Sequence, residues 1–161
     1  PIFFEFNPED LASELVTKYQ EKFPWHFKDS LRSFLNSDIS QLTFKQLSYA
    51  NRLQIHFGID QIEMCKANPN LIAITWDPKI DLVKSPRPCL LSLKLIIDKK
   101  YLHLAVVFRN RELLSRMIGN WYCMGELQEQ IAKEKGLRIG KFYDFSMGAF
   151  YSKSNRLKWE S

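Results

Sequence analysis

Cysteine is scarce in this chain: three residues in 161, at positions 65, 89 and 123, widely spaced and never as C-x-x-C. An odd count at that spacing argues against a disulfide framework and a zinc site, and fits reduced thiols in a cytoplasmic protein. Histidine is equally sparse. His26, His56 and His103 are scattered and read as surface or core residues, so no metal site is expected. No run approaches the ~18 apolar residues that a membrane helix needs, and the first residues lack a signal-peptide pattern. Repeats, low-complexity tracts and linkers are absent too. Residues 1–161 therefore read as a single domain, large enough to bury a core.

What is present is apolar and aromatic: 45% hydrophobic and 14% aromatic residues, a well-packed globule by composition. The net charge of +5 permits anionic partners such as nucleotides or nucleic acid, though it also fits a plain basic surface. A short β-like start, Pro1–Phe6, precedes Asn7-Pro8-Glu9-Asp10, which has the chemistry of a helix opening. Leu11, Leu15, Val16 and Tyr19 follow at helical spacing until Phe23-Pro24-Trp25. The pattern predicts further helices over 29–35, from Thr43, and over 60–66, the last stopped by Asn68-Pro69-Asn70. A strand is expected over 71–76, a charged loop over 109–112, a helix opening at Gly119-Asn120 and closing at Gly136, and a strand over 142–151. Ser152–Ser161 reads as a polar, basic tail in which Trp159 is an exposed contact. Helices mixed with an antiparallel hairpin, without βαβ regularity, favour an α+β fold.

The most informative stretch runs from Ser85 to Arg109, S-P-R-P-C-L-L-S-L-K-L-I-I-D-K-K-Y-L-H-L-A-V-V-F-R. Leu91, Leu93 and Leu95 alternate with Ser92 and Lys94, the period of a strand, and Tyr101–Phe108 is a second β-rich run. A hairpin centred on Lys99 sets Cys89 opposite Arg109, with Cβ atoms roughly 5 Å apart. A one-residue slip would separate them. A thiol beside a guanidinium favours the thiolate, the reactive form of cysteine.

From Tyr49 to Tyr151 the chain resembles the thymidylate synthases. The resemblance rests on Asp60-Gln61, Trp76-Asp77-Pro78, Pro86-Arg87-Pro88-Cys89, Phe108-Arg109-Asn110-Arg111-Glu112, Gly119-Asn120, Gly136-Leu137-Arg138-Ile139-Gly140 and Tyr151, in the family's order. Residues 1–48 form a divergent helical part. The resemblance implies a mixed β-sheet with helices on one face and a homodimer formed sheet to sheet. It implies an enzyme that moves a one-carbon unit from 5,10-methylenetetrahydrofolate to carbon 5 of a pyrimidine deoxynucleotide, dUMP or a relative. Cys89 would be the nucleophile that adds to carbon 6, dividing one hard bond formation into easier steps. Arg109 would hold the 5′-phosphate and keep Cys89 ionised, with Asn110 beside it. Asn120 would read the pyrimidine edge, Tyr151 would meet the deoxyribose hydroxyl, and Trp76 and Glu112 would face the folate. Leu90, Asn110, Glu112 and Ala149 stand where the family has histidine, serine, aspartate and histidine. Pro69-Asn70 falls where its paired phosphate-binding arginines are expected. Two other readings stay open: a family relative that binds nucleotide or acts as a scaffold without catalysis, and a nucleic-acid-binding module using Lys141-Phe142-Tyr143 and Tyr151-Ser152-Lys153.

Overall fold

A computed structural model describes residues 2–8, 11, 13–35, 49, 52–53, 60–83 and 87–161, with backbone alone over 31–35. The helix expected from Thr43, the shared face of Leu31, Phe34 and Leu35, and His56 lie outside what is described. Five strands make one mixed sheet: β1 (Ile2–Phe6), β2 (Ala73–Ile74), β3 (Leu90–Asp98), β4 (Tyr101–Glu112) and β5 (Arg138–Phe150), ordered β1-β5-β4-β3-β2. β4 and β5 are parallel and the other pairs antiparallel. The α+β class therefore stands, with one βαβ crossover that periodicity alone did not reveal. Along the sheet's helix-facing side, Leu93, Leu95, Leu102, Leu104, Val106, Phe108 and Phe142 are buried.

That side is covered chiefly by α5 (Ile118–Lys135), whose Trp121, Met124, Ile131 and Ala132 belong to the main core. Helix α5 ends as its sequence dictates: Gly136 takes a left-handed φ of 64° and its N–H caps the Ala132 and Lys133 carbonyls. Gln128 is fully buried in the same helix and donates to the Leu102 carbonyl at 2.8 Å and the Gly140 carbonyl at 3.1 Å, tying α5 to the join between β4 and β5. Helices α1 (Ser13–Lys22) and α2 (Pro24–Leu35) pack over α5 around a smaller core of Tyr19, Phe23 and Ile118. Pro24 begins α2 rather than breaking a helix for good, because a first-turn proline forfeits no hydrogen bond. α3 (Gln61–Ala67) is capped by Asp60 and covers β2. α4 (Pro78–Asp81) is capped by Asp77, so Asp77-Pro78 opens a helix as well as closing a strand. The tail is also helical: Ser152 caps α6 (Lys153–Glu160), and Trp159 stacks on Phe23 at 6.3 Å between ring centroids, an internal contact instead of an exposed one.

The hairpin register differs in an instructive way. Its loop is two residues, Lys99 and Lys100, with Lys99 at φ 53°, so the ladder runs Asp98↔Tyr101 to Ser92↔Val107. That is one residue off the expected pairing. A bulge at Leu91 then restores it, giving Leu90↔Phe108, and the Arg109 N–H donates to the Cys89 carbonyl at 2.7 Å. Cys89 and Arg109 do face each other across the ladder, by way of the extra residue in β3. The same bulge buries Leu90 on the side of Leu93 and Leu95, instead of opposite to them.

Candidate active site

Two structural supports fix the start of β3. The Tyr49 hydroxyl oxygen accepts the N–H groups of Cys89 at 3.0 Å and Leu90 at 3.3 Å. Thr75 donates its hydroxyl to the Leu90 carbonyl and its N–H to the Leu91 carbonyl at 2.9 Å, which holds the bulge on the β2 side. Thr75 is held in turn by Arg52. That buried guanidinium donates to the Thr75 carbonyl at 2.7 Å and forms a two-pronged pair with Asp81 at 2.8 and 2.9 Å.

Of the three cysteines, Cys89 alone is partly exposed; Cys65 and Cys123 are buried. Burial pushes the Cys65 thiol up and drives Cys123 to about 12, so both are inert packing residues near neutral pH. Cys89 touches the main core yet keeps a solvent-facing side.

Residues 109–112 continue β4 and are not a loop. The even-numbered, inward alternation from Leu102 to Phe108 breaks there, and Arg111 turns into the core at 2% exposure. Its guanidinium lies 3.4 Å above the Phe108 ring and approaches Asp144 at 2.8 Å. That approach is close without being an aligned hydrogen bond, because Nε, Nη1 and Nη2 are all buried with no acceptor in line. Asp144 is already occupied: Trp121 Nε1–H donates to Oδ2 at 2.6 Å and the Ser146 hydroxyl to Oδ1 at 3.1 Å. Burial lowers Arg111 to about 10, while Asp144, Tyr49 and Cys89 in turn favour its charge, so it stays cationic near pH 7. Burial likewise raises the Tyr49 phenol and keeps it neutral.

The other expected site residues are placed unevenly. Arg109 is half-buried, and its Nε is buried without a partner. With the Asn110 amide oriented to match, its oxygen accepts from Arg109 Nη1 at 3.2 Å and its NH2 donates to the Arg109 carbonyl at 3.0 Å. Gly148 makes room for this amide, since a Cβ there would lie 2.2 Å from it. Asn120 is buried at 7% exposure, in the first turn of α5 and not at its cap. Capping falls to Glu112, whose carboxylate takes the Ser115 N–H at the head of a π-helical turn, Leu113–Met117. The second Glu112 oxygen is buried and unpartnered. Trp76 is half-buried just before the Asp77 cap. Tyr151 is 53% exposed just past the end of β5, near the Arg156 side chain. Cys89, Arg109 and Asn110 are thus drawn together. Sequence reasoning missed Arg111, Asp144 and Tyr49. Arg111 was legible had 109–112 been read as strand, whereas the Tyr49 contact spans 40 residues and leaves no local mark.

Fold and site together define an α+β chain that presents one partly exposed thiol beside buried cationic groups. No family model matches the chain. It is 26% identical over 145 residues to a Methanothermobacter marburgensis protein named "Putative thymidylate synthase", covering 86% of this chain and 59% of that one. A Methanopyrus kandleri protein of the same name is 33% identical over 100 residues, 57% of this chain and 48% of its own. A third, from Methanocaldococcus jannaschii, is 32% identical over 94 residues, 55% of this chain and 42% of its own. The chain is a divergent thymidylate synthase-like protein, and it spans about three-fifths or less of the length of these relatives.

Proposed function

We propose that the chain performs thymidylate synthase-like chemistry on a pyrimidine deoxynucleotide, dUMP or a relative, with Cys89 as the nucleophile. The observation that carries this is the bulged junction, where Cys89, partly exposed, accepts the Arg109 N–H at its carbonyl and lies opposite Arg109 across the ladder. The Cys89 sulfur gives its electron pair to carbon 6, the carbon 5–carbon 6 π pair shifts onto the carbonyl oxygen at carbon 4, and carbon 5 becomes nucleophilic. Arg109, with its unpartnered buried Nε and the Asn110 amide beside it, binds the 5′-phosphate. Asn120 offers a donor and an acceptor to the base edge, and its side chain has no hydrogen bond among the described residues. Tyr151, exposed just past β5, would meet the sugar hydroxyl.

A donor-rich folate ring fits the orphaned Glu112 oxygen, with the half-buried Trp76 indole as a further surface; these residues would hold 5,10-methylenetetrahydrofolate. The folate supplies the one-carbon unit. The sheet face turned away from α5 carries Phe3, Phe145, Val107, Ser92 and Ile74 in one row across all five strands, with Ile96 nearby. Phe3, Phe145, Ile74 and Ile96 are exposed, which suits a homodimer stacked sheet on sheet. The departures from the family's residues at Leu90, Asn110, Glu112 and Ala149 favour a second reading, a relative that binds nucleotide or serves as a scaffold without turning it over. Deoxyuridylate tritiated at carbon 5, given with methylenetetrahydrofolate, decides between them. Tritium release that stops in Cys89→Ala supports catalysis, binding without release supports the second reading, and no binding sinks both.

A further inference from the structure

Successive carbonyls of a regular strand point to opposite neighbours, yet those of Leu90 and Leu91 both turn to Thr75, the residue after β2. This is the backbone consequence of the extra residue in β3. The second carbonyl needs a donor beyond the one N–H that Thr75 offers, and the Thr75 hydroxyl supplies it. Thr75 is fully buried and uses every polar group it has. Its hydroxyl goes to Leu90, its N–H to Leu91 at 2.9 Å, and its carbonyl accepts from Arg52 Nη1 at 2.7 Å. Asp81 clamps Arg52 in turn at 2.8 and 2.9 Å. What the bulge controls is the partner of Cys89. Continued unbroken, the register set at Lys99-Lys100 pairs Cys89 with Asn110 and puts its side chain on the buried side with Leu93 and Leu95. With the bulge, Leu90 takes the buried side and the Cys89 carbonyl accepts the Arg109 N–H at 2.7 Å.

We propose that Thr75 is a positioning residue for Cys89: its hydroxyl holds the extra residue of β3 in place and so keeps the sulfur-bearing residue opposite Arg109. The Arg52–Asp81 pair anchors Thr75 from behind, so the chain of contacts runs Asp81, Arg52, Thr75, Leu90, Cys89. Thr75 touches neither the thiol nor the space in front of it. Its effect on a reaction is confined to where the nucleophile stands. The catalytic consequence rests on the role given to Cys89 above, whereas the register itself is read without nucleotide or folate. Thr75→Val removes the hydroxyl at nearly constant volume and leaves the N–H bond to Leu91 intact, and Thr75→Ser keeps the hydroxyl.

Amide hydrogen exchange, resolved by nuclear magnetic resonance, reads the register through the Arg109 N–H. In Thr75→Val that amide exchanges about tenfold faster, the size of one lost buried hydrogen bond, while the Leu95↔Leu104 end of the hairpin keeps its protection. Thr75→Ser restores it. Tritium release from carbon 5 then falls about tenfold in kcat in Thr75→Val, with the nucleotide KM held, because pairing with β5 keeps Arg109 and Asn110 in place. Unchanged Arg109 exchange in Thr75→Val, or an equal rise along the whole hairpin, overturns the proposal, as does a change seen only with Tyr49→Phe. If Thr75→Val does not fold, the native protein supplies the test: its Thr75 hydroxyl proton is slow to exchange, and fast exchange overturns the proposal. An Arg109 amide that depends on the Thr75 hydroxyl, in a protein without nucleotide turnover, leaves this inference standing and removes only the enzymatic reading.

Discussion

Asp144 is the residue whose loss the structure prices most clearly. It is fully buried and receives Trp121 Nε1–H at 2.6 Å and the Ser146 hydroxyl at 3.1 Å, with the Arg111 guanidinium 2.8 Å away. Asp144→Ala strands a buried cation, and breaking a buried pair from one side costs about 3–5 kcal/mol. It also leaves the Trp121 N–H unsatisfied, worth about 1–3 kcal/mol more. A domain stabilised by about 5–15 kcal/mol loses a large share of that. With a slope of about 2 kcal/mol per molar, the urea midpoint falls by roughly 2–4 M. Arg111→Met/Asp144→Leu removes both charges together and recovers at least half of the deficit, as buried pairs replaced by apolar groups do elsewhere. Equilibrium urea unfolding followed by tryptophan fluorescence and circular dichroism measures both. A loss below about 1 kcal/mol in Asp144→Ala, or a double variant as weak as the sum of its singles, refutes a coupled buried pair.

Further outcomes follow from other contacts. Gly119→Ala normally gains helix propensity, but here the new Cβ meets Ser30 Oγ at 2.7 Å and Tyr19 Oη at 2.9 Å, so thermal melting should show a net loss of about 1–3 kcal/mol. His26 is held below its usual range by burial first and the Arg116 charge second. The unfolded chain therefore binds its proton first as pH falls through about 6.5, and stability drops below that pH. His26→Gln should flatten the melting temperature between about pH 7 and pH 5, and an unchanged slope rules His26 out as the cause. Iodoacetamide on the native chain should label Cys89 well ahead of Cys65 and Cys123, and equal labelling contradicts the burial pattern.

Much of the architecture was legible because local chemistry and tertiary packing agree. Asp60 caps α3, Gly136 closes α5, and alternating leucines announce β3. Legibility failed where charge density was taken for solvent exposure. Arg109-Asn110-Arg111-Glu112 reads as loop by composition, yet pairing with β5 carries it as strand and an aromatic ring shelters Arg111. The polar tail hid α6, whose Ser152 cap and Trp159 contact with Phe23 outweigh its composition. The hairpin shows a subtler case: one extra residue at Leu91 offsets a one-residue error at the turn. Opposition of Cys89 and Arg109 was thus correct for a reason that periodicity does not encode. Asn120 was ambiguous because a cap and a buried contact residue are the same amino acid in sequence. Only the upstream Glu112 cap separates the two.

The central claim is that the Cys89 sulfur adds to a pyrimidine ring. Its most direct measurement is intact and peptide mass spectrometry after incubation with 5-fluorodeoxyuridylate and methylenetetrahydrofolate. The account predicts a mass gain equal to nucleotide plus folate, confined to the peptide carrying Cys89 and absent from Cys89→Ala. An unmodified Cys89 peptide, in protein that binds the nucleotide and whose thiol still alkylates, would contradict it.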